Sequence, residues 1–172
     1  GWLFVMLISP ILVAQNAFDL QKAFERASKS VVVVHSVNQR GEEVALGSGI
    51  VIAPGEVVTN AHVVVNGTGA FLTKGSEKWE VKGIFLDPKL DLALLKTGTI
   101  SLPQVKLGTS ARVKPGQKLF AIGNPQGLEL SLSDGVVSAV RITDETTYIQ
   151  TTAPISPGSS GGGVFNTNTE LV

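Results

Sequence analysis

The sequence predicts an all-β fold in two halves. Short β-branched stretches recur at regular spacing, such as SVVVVHSVN at 30–38 and DLALLKT at 91–97. Turn signals punctuate them, as at Pro54-Gly55 and Lys74-Gly75-Ser76. This rhythm of strand and turn marks a sandwich or barrel. One stretch breaks it: SLPQVKLGTSARVKPG at 101–116 carries two prolines and two glycines and reads as a crossover between halves.

In chain order, WLFVMLISPILVA from Trp2 to Ala14 is apolar and uncharged. It is too short for a comfortable membrane span of about 20 residues and suits the apolar core of a secretory leader. A membrane anchor or a buried first helix are the alternatives, so 1–17 is read as a signal peptide or an anchor remnant. Residues 18–107 are assigned to a short N-terminal helix and the first half, and 108–172 to the second. Phe18, Leu20, Ala23, Phe24 and Ala27 fall near helical spacing. Strands follow in EEVALGSGIVIAPGEVVTNAHVV, two around Pro54-Gly55, and in GAFLTKGSEKWEVKGIFLD, two more. DLALLKT adds another. After the crossover come QKLFAIGNPQG, LELSLSDGVVSAVRI and TYIQTTAP.

Composition narrows the chemistry. There is no cysteine, which excludes disulfides, a thiolate nucleophile and cysteine-bound metal. With only His35 and His62, a histidine-rich metal site is not expected, and neither is a cofactor. The formal charge is zero, so no electrostatic pull toward nucleic acid is expected. Gly47-Ser48-Gly49 lies between strands without the marks of a phosphate loop. His35 closes the alternation Val31, Val33, His35 and reads as a half-exposed strand residue.

Three stretches carry chemistry together: TNAHVV with His62, LDLALLK with Asp91, and PGSSGGG with Ser160. A serine hydroxyl is a poor nucleophile at neutral pH and needs an adjacent base. His62 suits that role. Asp91 heads an apolar run where a desolvated carboxylate needs a partner, and it would fix the histidine tautomer. Gly158 permits backbone conformations closed to other residues, so the N–H groups of Gly158 and Ser160 can converge on an oxyanion.

The order His, Asp, Ser on a β-rich chain resembles the chymotrypsin-fold serine proteases, and more narrowly their HtrA/Deg branch. The matching stretches are GSGIVIAPGEVVTNAHVV, DPKLDLALLK, KPGQKLFAIGNPQGL, GVVSAVR and TTAPISPGSSGGGVFN, which together span residues 47–166. The resemblance implies two six-stranded antiparallel β-barrels with a catalytic cleft between them. It also implies that roughly two more strands are needed to close the second barrel, which is therefore expected to be incomplete in this chain. Ser159, Gly163 and Thr152 stand where the family commonly has Asn, Pro and Asp. The implied activity is endoproteolysis of unfolded or damaged polypeptides in the periplasm or outside the cell. Trimers joined through N-terminal aromatics are implied too, for which Phe18 and Phe24 are candidates, as is membrane association through the N-terminal segment.

Pro154, Ile155 and Ser156 are the substrate-binding candidates. Trypsin-type enzymes carry an acid where this chain has Pro154, so small or medium apolar side chains are expected beside the cleaved bond. The alternatives are a latent or non-catalytic member of the fold that binds extended peptides or partner proteins, and a glutamyl-endopeptidase-type enzyme.

Overall fold

The computed structural model describes residues 18–124, 130–144, 146–156 and 159–172. The leader-like segment at 1–17, on which the export and membrane-association expectations rest, lies outside them.

A short helix, α1 (Leu20–Ala27), opens the described chain. Asp19 caps it, its side chain accepting from the Lys22 N–H at 3.1 Å, and Ala23 and Ala27 face inward. Six strands follow: β1 (Val31–Val37), β2 (Glu43–Ala53), β3 (Glu56–Asn60), β4 (Gly69–Lys74), β5 (Glu77–Asp87) and β6 (Leu92–Thr97). They close into a barrel in the order β1-β2-β3-β6-β5-β4. Val32, Val34, Val51, Val57, Leu72 and Leu95 fill its interior. The valine run of β1 shows no polar alternation because both of its faces are covered. Val32 and Val34 point into the barrel, whereas Val31 joins a second cluster outside it. A one-turn helix, α2 (Ala61–Val64), interrupts the strands after β3 and was not evident in the sequence.

The second half comprises β7 (Lys106–Leu107), β8 (Lys118–Gly123), β9 (Ser131–Ile142), β10 (Thr147–Thr151), β11 (Gly163–Asn166) and β12 (Glu170–Leu171). They form a six-stranded sheet in the order β10-β9-β8-β11-β12-β7. The all-β fold in two halves, with a short helix in front, is the one the sequence predicts. The second half is an open sheet among the described residues, as the expectation of an incomplete second barrel has it; one detail differs from an antiparallel design, since β7 pairs with β12 in parallel. A crossover from the first barrel delivers β7, and a crossover does not impose the antiparallel direction that a hairpin would.

The two halves share a core. Ala23 and Ala27 of α1, Val31 and Ile50 of the barrel, and Phe120, Ile122 and Phe165 of the second sheet form one buried cluster. Phe120 and Phe165 stack at 5.3 Å between ring centroids, and Phe18 lies 6.0 Å from Phe120. Phe18 and Phe24, the aromatics named above as candidates for a trimer contact, both pack against this cluster. Phe120 is fully buried at its centre. Phe120→Ala is expected to lower unfolding stability by about 3–5 kcal/mol. The measurement is a urea titration, with the midpoint falling and the slope unchanged.

Candidate active site

His62 projects outward because its neighbours point in. Val63 and Val64 of α2 bury in the barrel interior, which turns the intervening face of that single helical turn toward solvent. Asp91 stands just before β6, at the end of a turn shaped by Asp87, whose carboxylate accepts from the Lys89 and Leu90 N–H groups at 3.1 and 3.2 Å. Its backbone takes the left-handed conformation, φ 51°, which is uncommon for a residue with a side chain. That conformation is held in place by hydrogen bonds to its carbonyl, from the Ala61 N–H at 3.0 Å and Asn60 Nδ2 at 2.9 Å.

The carboxylate of Asp91 grips His62 twice. Oδ1 accepts from the His62 backbone N–H at 2.9 Å, and Oδ2 lies 2.7 Å from Nδ1. An ionised carboxylate only accepts, so Nδ1 carries a proton, and it is in the neutral form of the ring that Nε2 keeps its lone pair. Partial burial pushes the Asp91 carboxyl up. The bonds from the His62 N–H and ring, the charge of His62 and the Ala61 N–H outweigh that effect and bring the pKa below the ordinary aspartate value.

Asp91 is more exposed than the desolvated carboxylate expected from its apolar neighbours: its side chain is 47% accessible and that of His62 56%. The reason is local. Leu90 and Leu92 sit at the rim of the barrel and are themselves exposed. The pair is therefore open to an incoming chain.

Ser160 reaches the same neighbourhood from the second half on a tight turn. Gly162 N–H donates to the Ser159 carbonyl at 2.8 Å and Ser159 N–H to the Ser156 carbonyl at 3.0 Å. The turn is pinned to the first barrel at two successive residues. The Ser160 carbonyl accepts from the Ser48 N–H at 2.7 Å, and the Gly161 N–H donates to Asn60 Oδ1 at 2.6 Å. Gly161 has φ +80°, and a Cβ there would overlap the Ser48 carbonyl and the Thr59 hydroxyl, so only glycine fits. Ser48 is itself held, since Thr59 Oγ1 donates to its carbonyl at 2.6 Å and its Oγ accepts from the Asn124 N–H at 2.7 Å.

Among the described residues no hydrogen bond joins Ser160 Oγ to His62; such contacts are often long before substrate arrives. Gly158, the other expected oxyanion donor, lies outside the described residues. Pro154, Ile155 and Ser156 meet at one cavity of about 450 Å³, together with Ser159, Ala121, Gly123 and the β9 segment Ser131–Asp134. Asp134, paired with Phe120 across the β8–β9 ladder, is one of the residues lining this cavity. No cluster of three or more potential metal ligands occurs among the described residues.

The sequence reading missed Asn60, Ser48 and Thr59. Its one usable signal was position, since Thr59-Asn60 directly precedes Ala61-His62.

The model of the trypsin-like peptidase domain matches residues 47–172. The chain belongs to the trypsin-like peptidase family. Its relatives include DegP-like periplasmic serine endoproteases, in keeping with the HtrA/Deg pattern of its motifs. That of Marinomonas sp. (strain MWYL1) is 40% identical over 141 residues, covering 78% of this chain and 30% of the relative. That of Pseudomonas fluorescens is 39% identical over 160 residues, covering 89% and 33%. A crystal structure of the serine endoprotease from Yersinia pestis superposes with a TM-score of 0.77 at 30% identity, covering 89% of this chain and 55% of that one. The chain thus spans about a third of the length of these curated relatives.

Proposed function

We propose that this chain is the catalytic part of an exported serine endopeptidase that cleaves unfolded or damaged polypeptides. The observation that carries the reading is the His62 Nδ1–Asp91 Oδ2 contact at 2.7 Å, on the barrel to which the Ser160 turn is pinned through Asn60. In this scheme Ser160 Oγ attacks the scissile carbonyl carbon and its proton passes to His62 Nε2. Asp91 stabilises the imidazolium, which then protonates the leaving amine as the carbon–nitrogen bond breaks. Water resolves the acyl-enzyme by the same steps with the roles repeated. The N–H groups of Gly158 and Ser160 receive the oxyanion. The side chain beside the cleaved bond enters the cavity at Pro154, Ile155 and Ser156; with Pro154 where trypsin-type enzymes carry an acid, small or medium apolar groups are the proposed fit, although Asp134 also lines the cavity. Export rests on the apolar segment at 2–14 and on the periplasmic naming of the relatives.

The alternative reading is a latent, peptide-binding form of the same fold. Fluorophosphonate treatment separates the two readings. The expected result is one adduct, mapped by mass spectrometry to Ser160, and a peptide-library profile dominated by Val, Ala or Leu beside the cleaved bond. A folded protein without an adduct would sink the catalytic reading, and a profile dominated by Lys or Arg would sink the pocket assignment.

A further inference from the structure

We infer that Asn60 is a positioning residue that registers the Ser160 turn against the His62–Asp91 pair. The inference rests on the serine-peptidase reading and adds to it the group that joins the two halves of the site.

The amide of Asn60 is used in both directions. Its Nδ2 donates to the Asp91 carbonyl at 2.9 Å, and its Oδ1 accepts from the Gly161 N–H at 2.6 Å. Neither partner can exchange roles, because a carbonyl only accepts and a backbone N–H only donates, so the amide orientation is determined by chemistry. One planar group therefore sets the distance between the residue that orients the base and the residue next to the nucleophile. Asn60 stands at the end of β3, whose register with β6 pairs it with Leu92, beside Asp91. Its backbone is thus fixed by the closed barrel and makes a rigid reference point. Gly161 is fitted to this reach: its left-handed backbone and lack of a side chain let its N–H come within range.

The nearby Thr59–Ser48–Ser160 bonds hold the turn against the barrel but touch neither Asp91 nor His62. Of these groups, Asn60 alone joins Asp91 to the Ser160 turn. Asn60 does not line the cavity at Pro154–Ser156, so its loss should spare substrate binding.

The test compares wild type with Asn60→Ala and the isosteric Asn60→Asp, which keeps an acceptor for Gly161 and loses the donor to Asp91. Readouts are the rate of fluorophosphonate labelling at Ser160, kcat and KM on a short apolar chromogenic peptide, and the melting temperature. For Asn60→Ala, labelling rate and kcat are expected to fall on the order of 10- to 100-fold with KM unchanged, as misplacement of a catalytic group costs. Asn60→Asp should lie between the two. Labelling and kcat within twofold of wild type in both variants would overturn the inference, as would a fall in melting temperature with kcat preserved. A wild type that takes no label overturns the serine-peptidase reading itself, a different outcome from a labelled wild type with equally labelled variants.

Discussion

Ser160→Ala is expected to lower kcat on the order of a millionfold, with the melting temperature unchanged, if Ser160 is the proposed nucleophile. The size follows from the chemistry: without the hydroxyl no acyl-enzyme forms, and what remains is binding and oxyanion stabilisation around an unassisted water. The invariance of the fold follows from the structure. What pins this turn is main chain, the Ser160 carbonyl on Ser48 and the Gly161 N–H on Asn60, and alanine keeps both. The check is hydrolysis of a denatured reporter protein by matched preparations, followed over days for the variant. Residual activity above about a hundredth of wild type would move the nucleophile elsewhere, with Ser159 the nearest alternative hydroxyl.

Asp91→Asn is expected to lower kcat on the order of 10⁴-fold. The carboxylate accepts two hydrogen bonds from His62, one from its main chain and one from its ring. An asparagine amide offers one acceptor. If its oxygen keeps the backbone N–H, its NH₂ group faces Nδ1 and forces the ring proton to Nε2, the atom that must take the serine proton. The two bonds to the Asp91 carbonyl remain, so the variant should fold and bind peptide. A rate within tenfold of wild type would remove Asp91 from the mechanism. The pairing also has a pH signature. Because the folded pKa is depressed, its stabilisation is fully present above the ordinary aspartate value and is lost as pH falls through the lowered one. Acid unfolding of wild type should therefore be steeper below the ordinary value than that of Asp91→Asn.

The parts of this molecule that were legible beforehand are those in which residue type is dictated by chemistry or by burial. A nucleophile, a base and a carboxylate must be Ser, His and Asp or close substitutes, so Ser160, His62 and Asp91 stood out once their neighbours were read together. The strands showed through their β-branched runs, as in Val31–Val34. Asn60, Ser48 and Thr59 left no such trace. Their work is to meet main-chain donors and acceptors, a task that any small polar residue in the right place can do, and the right place appears only when residues 48, 60, 91 and 161 meet in space. The parallel β7–β12 pair was hidden for a similar reason: each strand is two residues long and too short to show a period. The exposure of Asp91 could not be read from LDLALL, because the apolar run starts at a barrel rim.

The cluster built from Val31, Ile50, Phe120 and Phe165 draws on chain segments up to 134 residues apart, since 165 − 31 = 134. Contacts of such separation form late in folding, after the loops between them have closed. The Ser160 turn depends on that docking, so a chain still emerging or only half folded carries His62 and Asp91 without a nucleophile beside them. For an enzyme whose proposed diet is unfolded polypeptide, every nascent copy of itself is potential prey. On the proposed function, dividing the machinery between two halves that share one core would keep each copy harmless to its neighbours until it has itself ceased to be a substrate.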